Sequence, residues 1–271
     1  ILADNNVLPE QGLLPEHGFS VLIERGSHRL LFDTGDGPAL VHNSQRLGID
    51  LSGLDAVILS HGHYDHTGGL LHVAKLNPGI RVVAHPKAFG PHYKDLGTGT
   101  DPRYIGIPHS ARLLNECGAT FQLTTEPQTI IEGVWYTGFV PLVFGGYSDS
   151  RLVIKTDDGL IPDQMEDDAS LLVNTSKGPV LLLGCAHAGI PNILEHLKEQ
   201  QQIEAIHMVI GGTHLSLWEK SQTNATIDAL ERFMVEYVAP AHCTGKAISA
   251  DLKNHFQDRF KDVAAGDVFS F

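Results

Sequence analysis

Short apolar runs alternate with amphipathic stretches along most of the chain. Residues 19–24 (FSVLIE) and 28–33 (HRLLFD) read as strands around Arg25-Gly26-Ser27, a hairpin pattern. An amphipathic stretch over 38–47 predicts a helix opened by Pro38. Residues 54–60 (LDAVILS) form a buried strand, GGLLHVAKL a helix, and 81–85 (RVVAH) another buried strand. The second half repeats the rhythm. VWYTGF, RLVIKT, SLLVNT, PVLLLG and IHMVIGG read as strands, and 237–241 as a shorter one. Helices are expected over 191–200, 221–237 and 247–260. Two β-rich halves with late helices predict an α+β protein of two packed sheets with helices outside. No linker divides the chain, so a single domain over 1–271 is expected.

Residues 86–109 break the pattern. They hold Pro86, Pro91, Pro102 and Pro108, several glycines, the aromatics Phe89, Tyr93 and Tyr104, and the cations Lys87, Lys94 and Arg103. A stretch of this length without periodicity is expected to be a lid or substrate-binding insert.

Composition removes several functional classes. The formal charge of -13 argues against a basic nucleic-acid surface. No apolar run reaches membrane-spanning length, and no signal-peptide pattern follows Ile1. Cys117, Cys185 and Cys243 form no CxxC and leave an odd number, which favours a reducing, cytoplasmic setting. The oligomeric state is not legible.

Candidate chemistry centres on SHGHYDHTGGL, residues 60–70. Three imidazoles and a carboxylate in an H-x-H-x-D-H pattern, directly after a buried strand, can hold one or two divalent metals. His61, His63, Asp65 and His66 are therefore expected metal ligands. His187 and His242 also stand just past apolar strands and before helices, and are expected to complete the set. Histidine-rich N/O ligation fits zinc best, and manganese and iron are compatible. Each following helix could present its N-terminus to an anion. Thr244 is expected to cap the last helix. Asp33 is expected to fix its turn or to support a ligand histidine rather than bind metal. Asp163, Asp167 and Asp168 read as a solvated acidic loop, from which one carboxylate could approach the site.

These motifs, with FDTG upstream, resemble the metallo-β-lactamase superfamily along essentially the whole chain. The resemblance implies a four-layer αβ/βα sandwich with a dinuclear metal site at one edge. It implies that His61 and His63 serve a first metal, and Asp65, His66 and His242 a second. Two departures stand out. Thr137-Gly138-Phe139-Val140-Pro141 lacks the family's middle histidine, which His187 would replace. Cys185 occupies the position of the usual bridging aspartate, and is expected to be a packed thiol. EHGFS, GCAHAGIPN, GGTHL and HCTG are further similar to a branch named for a methanopterin-pathway enzyme. That enzyme joins a dihydropterin diphosphate to a ribofuranosyl-aminobenzene phosphate.

The expected function is a metal-dependent hydrolase or transferase acting on a phosphorylated or otherwise anionic small molecule. Asp65 would hold metal and orient the attacking water, and His214 would donate a proton or bind the anion. His17, in EHGFS, is a second candidate for that role. Two alternatives belong to other classes: a non-catalytic metal or metabolite sensor on the same fold, and a di-iron redox protein. The latter type carries a glutamate at the second position of the histidine cluster, where this chain has Gly62.

Overall fold

The computed structural model describes every residue of the chain except Pro9, Thr98, Gly146–Ser148 and Trp218. Its chain contacts divide into two compact units. The first comprises Ile1–Thr124, Ser148–Asp167 and Ala264–Asp267, and the second Thr125–Tyr147, Asp168–Val263 and Val268–Phe271.

The first unit opens with a hairpin of β1 (Val21–Arg25) and β2 (His28–Phe32). Arg25 pairs with His28, which leaves a two-residue turn. Gly26 takes φ 59° there, the left-handed conformation such tight hairpin turns need. Helix α1 (Pro38–Arg46) then crosses to β3 (Ala56–Ile58). Two helices, α2 (Tyr64–Thr67) and α3 (Leu70–Leu76), lead to β4 (Arg81–Ala84). After two short strands, β5 (His92–Lys94) and β6 (Arg103–Tyr104), helix α4 (Ala111–Glu116) leads to β7 (Thr120–Leu123). The sheet order is β1-β2-β3-β4-β7, and β2, β3, β4 and β7 run parallel. Parallel strands require crossovers, and the helices supply them. Leu31, Val57, Val82, Leu40, Leu70, Val73 and Leu114 fill the core between sheet and helices.

The second unit begins with β8 (Gln128–Ile131) and β9 (Val134–Tyr136). Strands β10 (Leu152–Thr156) and β11 (Gly159–Pro162) belong to the first unit, where they join β5 and β6 in a four-stranded sheet. The 86–109 stretch is therefore not structureless: β5 pairs with β10 and β6, held by antiparallel bonds that its mixed composition hides.

The second unit continues with β12 (Ser170–Thr175), β13 (Gly178–Leu183), α5 (Ile190–Gln201), β14 (Met208–Gly212), α6 (Lys220–Arg232), β15 (Tyr237–Ala241) and α7 (Lys246–Phe256). Its six strands run β15-β14-β13-β12-β9-β8, and β13, β14 and β15 are parallel. Leu181, Leu183, Val209, Ile193, Leu194, Leu197, Leu230 and Phe256 form its core. Helix α6 ends before the expected Tyr237 because Met234 takes φ 45° and turns the chain into β15. Likewise Gln257, at φ 49°, stops α7 short of Phe260.

The α+β class expected from the sequence holds. In both units the parallel strands run out at one edge, where their successors carry the polar residues: Asp33 after β2, His61 after β3, Cys185 after β13, His214 after β14 and His242 after β15. Ligand sites in such sheets lie beyond the carboxyl ends of the strands.

Candidate metal centre

In the first unit the histidine loop leaves β3 and folds directly into α2. His61 and His66 are fully buried, and His63 and Asp65 nearly so. Four polar side chains at such depth need partners. Asp33 supplies the first layer of them. Its Oδ1 accepts from the Ser60 amide at 2.7 Å, and its Oδ2 accepts from the Ser60 hydroxyl at 2.7 Å. The same Oδ2 lies 2.6 Å from His66 Nδ1. With Nδ1 carrying the proton toward Asp33, His66 presents its Nε2 lone pair to the interior. The Ser60 hydroxyl, having donated to Asp33, accepts from His61 Nδ1 at 2.9 Å, which orients Nε2 of that ring in the same way. Asp33 thus contacts His66, one of the expected ligand histidines, in the supporting position expected of it.

His61 Nε2 then lies 3.0 Å from His63 Nδ1. Two imidazole nitrogens at that separation share a proton or a cation. Burial pushes His63 down to about 3, against the opposing charge of Asp65, so its ring is neutral at physiological pH. Neutral imidazoles with outward protons fixed by carboxylate and hydroxyl are what a divalent metal requires of its ligands. The donor set of the loop therefore fits the metal that the motif implies.

Two more side chains bear on this loop. The exposed His17 places Nε2 3.2 Å from Asp65 Oδ2. The Arg103 guanidinium lies over the Tyr64 ring, 5.5 Å from its centroid.

The acidic residues expected in a solvated loop are buried instead. Asp163, Asp167 and Asp168 are each at most 5% exposed. Asp163 Oδ2 lies 2.6 Å from His92 Nδ1, and Asp167 Oδ2 lies 3.5 Å from His92 Nε2. Burial pushes His92 down, but the Asp163 hydrogen bond and both carboxylate charges outweigh it and hold the ring at about 9. Asp167 Oδ2 also accepts from the Gly62 amide at 2.7 Å, inside the histidine loop. His92 packs edge-on against His63 with centroids 5.4 Å apart. Neither His92 nor Asp167 was distinguishable in the sequence. His92 sits among prolines and glycines, and Asp167 within an acidic run, so no local pattern marks either one.

The second unit gathers its own cluster at the ends of β13, β14 and β15. His187 and His214 stack with ring centroids 4.3 Å apart. Cys185, His187, His214 and His242 are all buried. Asp168 accepts from the Ala188 amide at 2.9 Å and so anchors the turn that carries His187. The Thr244 hydroxyl donates to Ala241 O at 2.8 Å, and Gly245, not Thr244, occupies the N-cap of α7. The expected capping role is thereby corrected: the threonine closes its own turn. Burial pushes the Cys243 thiol up, but contacts with Cys185 and His214 and the neighbouring His242 hold it well below the usual thiol range. Ala186, His214 and His242 all take positive φ, between 47° and 55°. Such strain concentrates where side chains must be aimed.

The structure thus unites His61, His63, Asp65 and His66 in the first unit, and His187, His214 and His242 in the second. Comparison with known proteins gives the family. The metallo-beta-lactamase superfamily model matches residues 13–242. A 7,8-dihydropterin-6-methyl-4-(beta-D-ribofuranosyl)-aminobenzene-5'-phosphate synthase of Methanocaldococcus jannaschii is 29% identical over 270 residues, covering 94% of this chain and 90% of its own length. An uncharacterized protein of the same organism is 33% identical over 247 residues, covering 90% of each chain. The crystal structure of a metal-dependent hydrolase of the beta-lactamase superfamily matches with a TM-score of 0.86 and 32% identity, covering 100% of this chain and 97% of that one. The chain belongs to the metallo-beta-lactamase superfamily of metal-dependent hydrolases, and its fold is the fold of that superfamily.

Proposed function

We propose that the protein is a metal-dependent hydrolase or group-transfer enzyme acting on a phosphorylated or otherwise anionic small molecule. The observation that carries this reading is the histidine loop, with His61 Nε2 3.0 Å from His63 Nδ1 and His66 fixed by Asp33 at 2.6 Å. In this proposal His61, His63, Asp65 and His66 hold the metal, and His187 and His242 are the further ligands that the family resemblance implies. Zinc suits the donor set, one or two ions being bound. A bound divalent ion would supply Lewis acidity toward a phosphoryl or diphosphate oxygen.

The chain's own residues account for the rest. Asp33 and Ser60 fix the protons of His66 and His61 on the outward nitrogens. Asp65, 3.2 Å from the exposed His17, would orient a water or a substrate hydroxyl. His214 is proposed as proton donor or anion ligand. Arg103, on β6 and over Tyr64, brings a cation close to the loop in a chain whose net charge is -13. A cation beside such a loop favours an anionic substrate. The relative from Methanocaldococcus jannaschii makes a dihydropterin diphosphate, with a phosphorylated ribofuranosyl-aminobenzene as acceptor, the first pair of substrates to assay.

The redox alternative finds little support. It calls for a carboxylate at position 62, yet a Cβ on Gly62 would stand 2.0 Å from the Ala88 carbonyl oxygen. Turnover of a panel of phosphomonoesters, phosphodiesters and diphosphates by the zinc- or manganese-loaded protein tests the proposal. Hydrolysis or condensation that is lost with chelation supports it. Tight binding of one metabolite with no turnover of any member would replace it with the sensor reading.

A further inference from the structure

Tyr64, the residue between His63 and Asp65, joins the histidine loop to the four-stranded sheet of β5, β6, β10 and β11. Its amide donates to Ile105 O at 2.9 Å. Its ring packs against the buried Ile105, Leu152 and Met165. The Ile105 amide in turn donates to His92 O at 3.0 Å. Strand β6 is only two residues long, yet several contacts set its place. Lys94 pairs with Arg103 and Tyr93 with Tyr104, and the two tyrosine rings meet edge-on with centroids 5.4 Å apart. The Tyr104 hydroxyl donates to Ile107 O at 3.0 Å. These bonds build the insert onto the histidine loop as a wall.

Arg103 stands on that wall, two residues before the carbonyl that Tyr64 holds. It is exposed, and its guanidinium lies 5.5 Å from the centroid of the Tyr64 ring. Among the described residues no carboxylate pairs with it at ion-pair distance. Asp36 borders the same opening: burial and the Asp65 charge push its carboxyl up, against the pull of His17 and Arg103. Asp65, an expected metal ligand, and Arg103 thus stand close enough to act on one small molecule.

From this placement we propose that Arg103 is a specificity-determining residue that takes a second anionic group of the substrate, the one not engaged by the metal ligands. The proposal rests on the anionic-substrate reading above. It narrows that reading to molecules with two anionic groups in close succession, of which a diphosphate is the simplest. A guanidinium fork pairs two phosphate oxygens at once. Contact with the Tyr64 ring face positions the fork without using its N–H donors. A substrate with a single phosphate, once that group is on the metal, leaves Arg103 without a partner.

The test is calorimetric binding of inorganic diphosphate and of inorganic phosphate to the zinc-loaded, full-length protein, for wild type, Arg103→Gln and Arg103→Lys. Wild type should bind diphosphate more tightly than phosphate. Arg103→Gln should weaken diphosphate binding about 10–100-fold and change phosphate binding less than about 3-fold. Arg103→Lys should recover only part of the loss, because an ammonium keeps the charge but not the fork. Zinc content and circular dichroism of both variants should match wild type, since the side chain is exposed. No preference for diphosphate in wild type, equal weakening of both anions, or unchanged diphosphate binding in Arg103→Gln would overturn the role of Arg103. Turnover of the phosphoester panel by the same wild-type preparation would then leave the anionic-substrate reading standing. A wild type that binds neither anion and turns over no phosphoester would overturn both.

Discussion

Asp167 and Gly62 are joined by a 2.7 Å hydrogen bond across 105 residues of sequence, carboxylate to amide. The bond ties the histidine loop to the segment that follows β11. Asp167 carries no mark in the sequence beyond membership of an acidic run, yet it is 1% exposed and reaches the tightest point of the metal loop. Asp167→Ala leaves the buried Gly62 N–H without its acceptor, an expected cost of about 1–3 kcal/mol. Asp167→Asn keeps an oxygen acceptor and should retain most of the stability. Urea denaturation of the two variants measures the difference.

Gly62 itself is predicted to be intolerant. Gly62→Ala forces a methyl to within 2.0 Å of the Ala88 carbonyl oxygen, so either the loop or the start of the 86–109 segment must move. The obstacle is backbone rather than a flexible side chain, so a loss of about 1–3 kcal/mol is expected, with weaker metal retention. Thermal melts and metal analysis of the same sample check both consequences.

The His92–Asp163 pair predicts a pH dependence of stability. His92 is held at about 9, above its ordinary 6.5. A raised histidine contributes stability that is fully present below about 6.5 and is lost as pH rises through about 9. Asp163 moves the other way: its pKa is lowered by the His92 hydrogen bond and charge, although burial, the largest influence, opposes. Its contribution is present above the ordinary carboxylate pKa and is lost as pH falls through the lowered value. Between pH 6.5 and 9 wild type should lose up to about 3 kcal/mol that Asp163→Asn does not. Parallel urea melts of the two proteins across that range would show it, and identical slopes would argue against a charged pair.

Asp33 offers a prediction about affinity rather than folding. Its Oδ2 fixes His66 Nδ1 at 2.6 Å. Asp33→Asn keeps the shape but lets the amide donate where the carboxylate accepted, which disturbs the ring orientation. Roughly 10–100-fold weaker metal binding is expected, as for other carboxylate partners of ligand histidines. Competition with a chromophoric chelator measures it.

Much of the fold was legible because its signals are local. The apolar runs of β3, β4, β12 and β13 and the Pro-led starts of α1 and α5 are written in consecutive residues. The four-stranded sheet of β5, β6, β10 and β11 was not, since β5 is three residues long and finds its partner β10 far along the chain. The H-x-H-x-D-H loop was legible for the same local reason. His92, Asp163 and Asp167 were not, because their roles arise from burial and from contacts separated by up to 105 residues. The Asp33–His66 bond lay between these cases: the aspartate at the end of β2 was visible and support of a ligand histidine was one of its two expected roles, but nothing local said that the histidine would be His66.

The central claim is that the histidine loop holds metal, and the most direct measurement is metal content of the purified protein against the His61→Ala, His63→Ala variant. Both proteins are loaded with zinc, dialysed and analysed by elemental mass spectrometry, with folding checked by circular dichroism. The account predicts that the folded double variant retains at least one equivalent less metal than wild type and has no phosphoester or diphosphate turnover. Equal metal in the two folded proteins would contradict it.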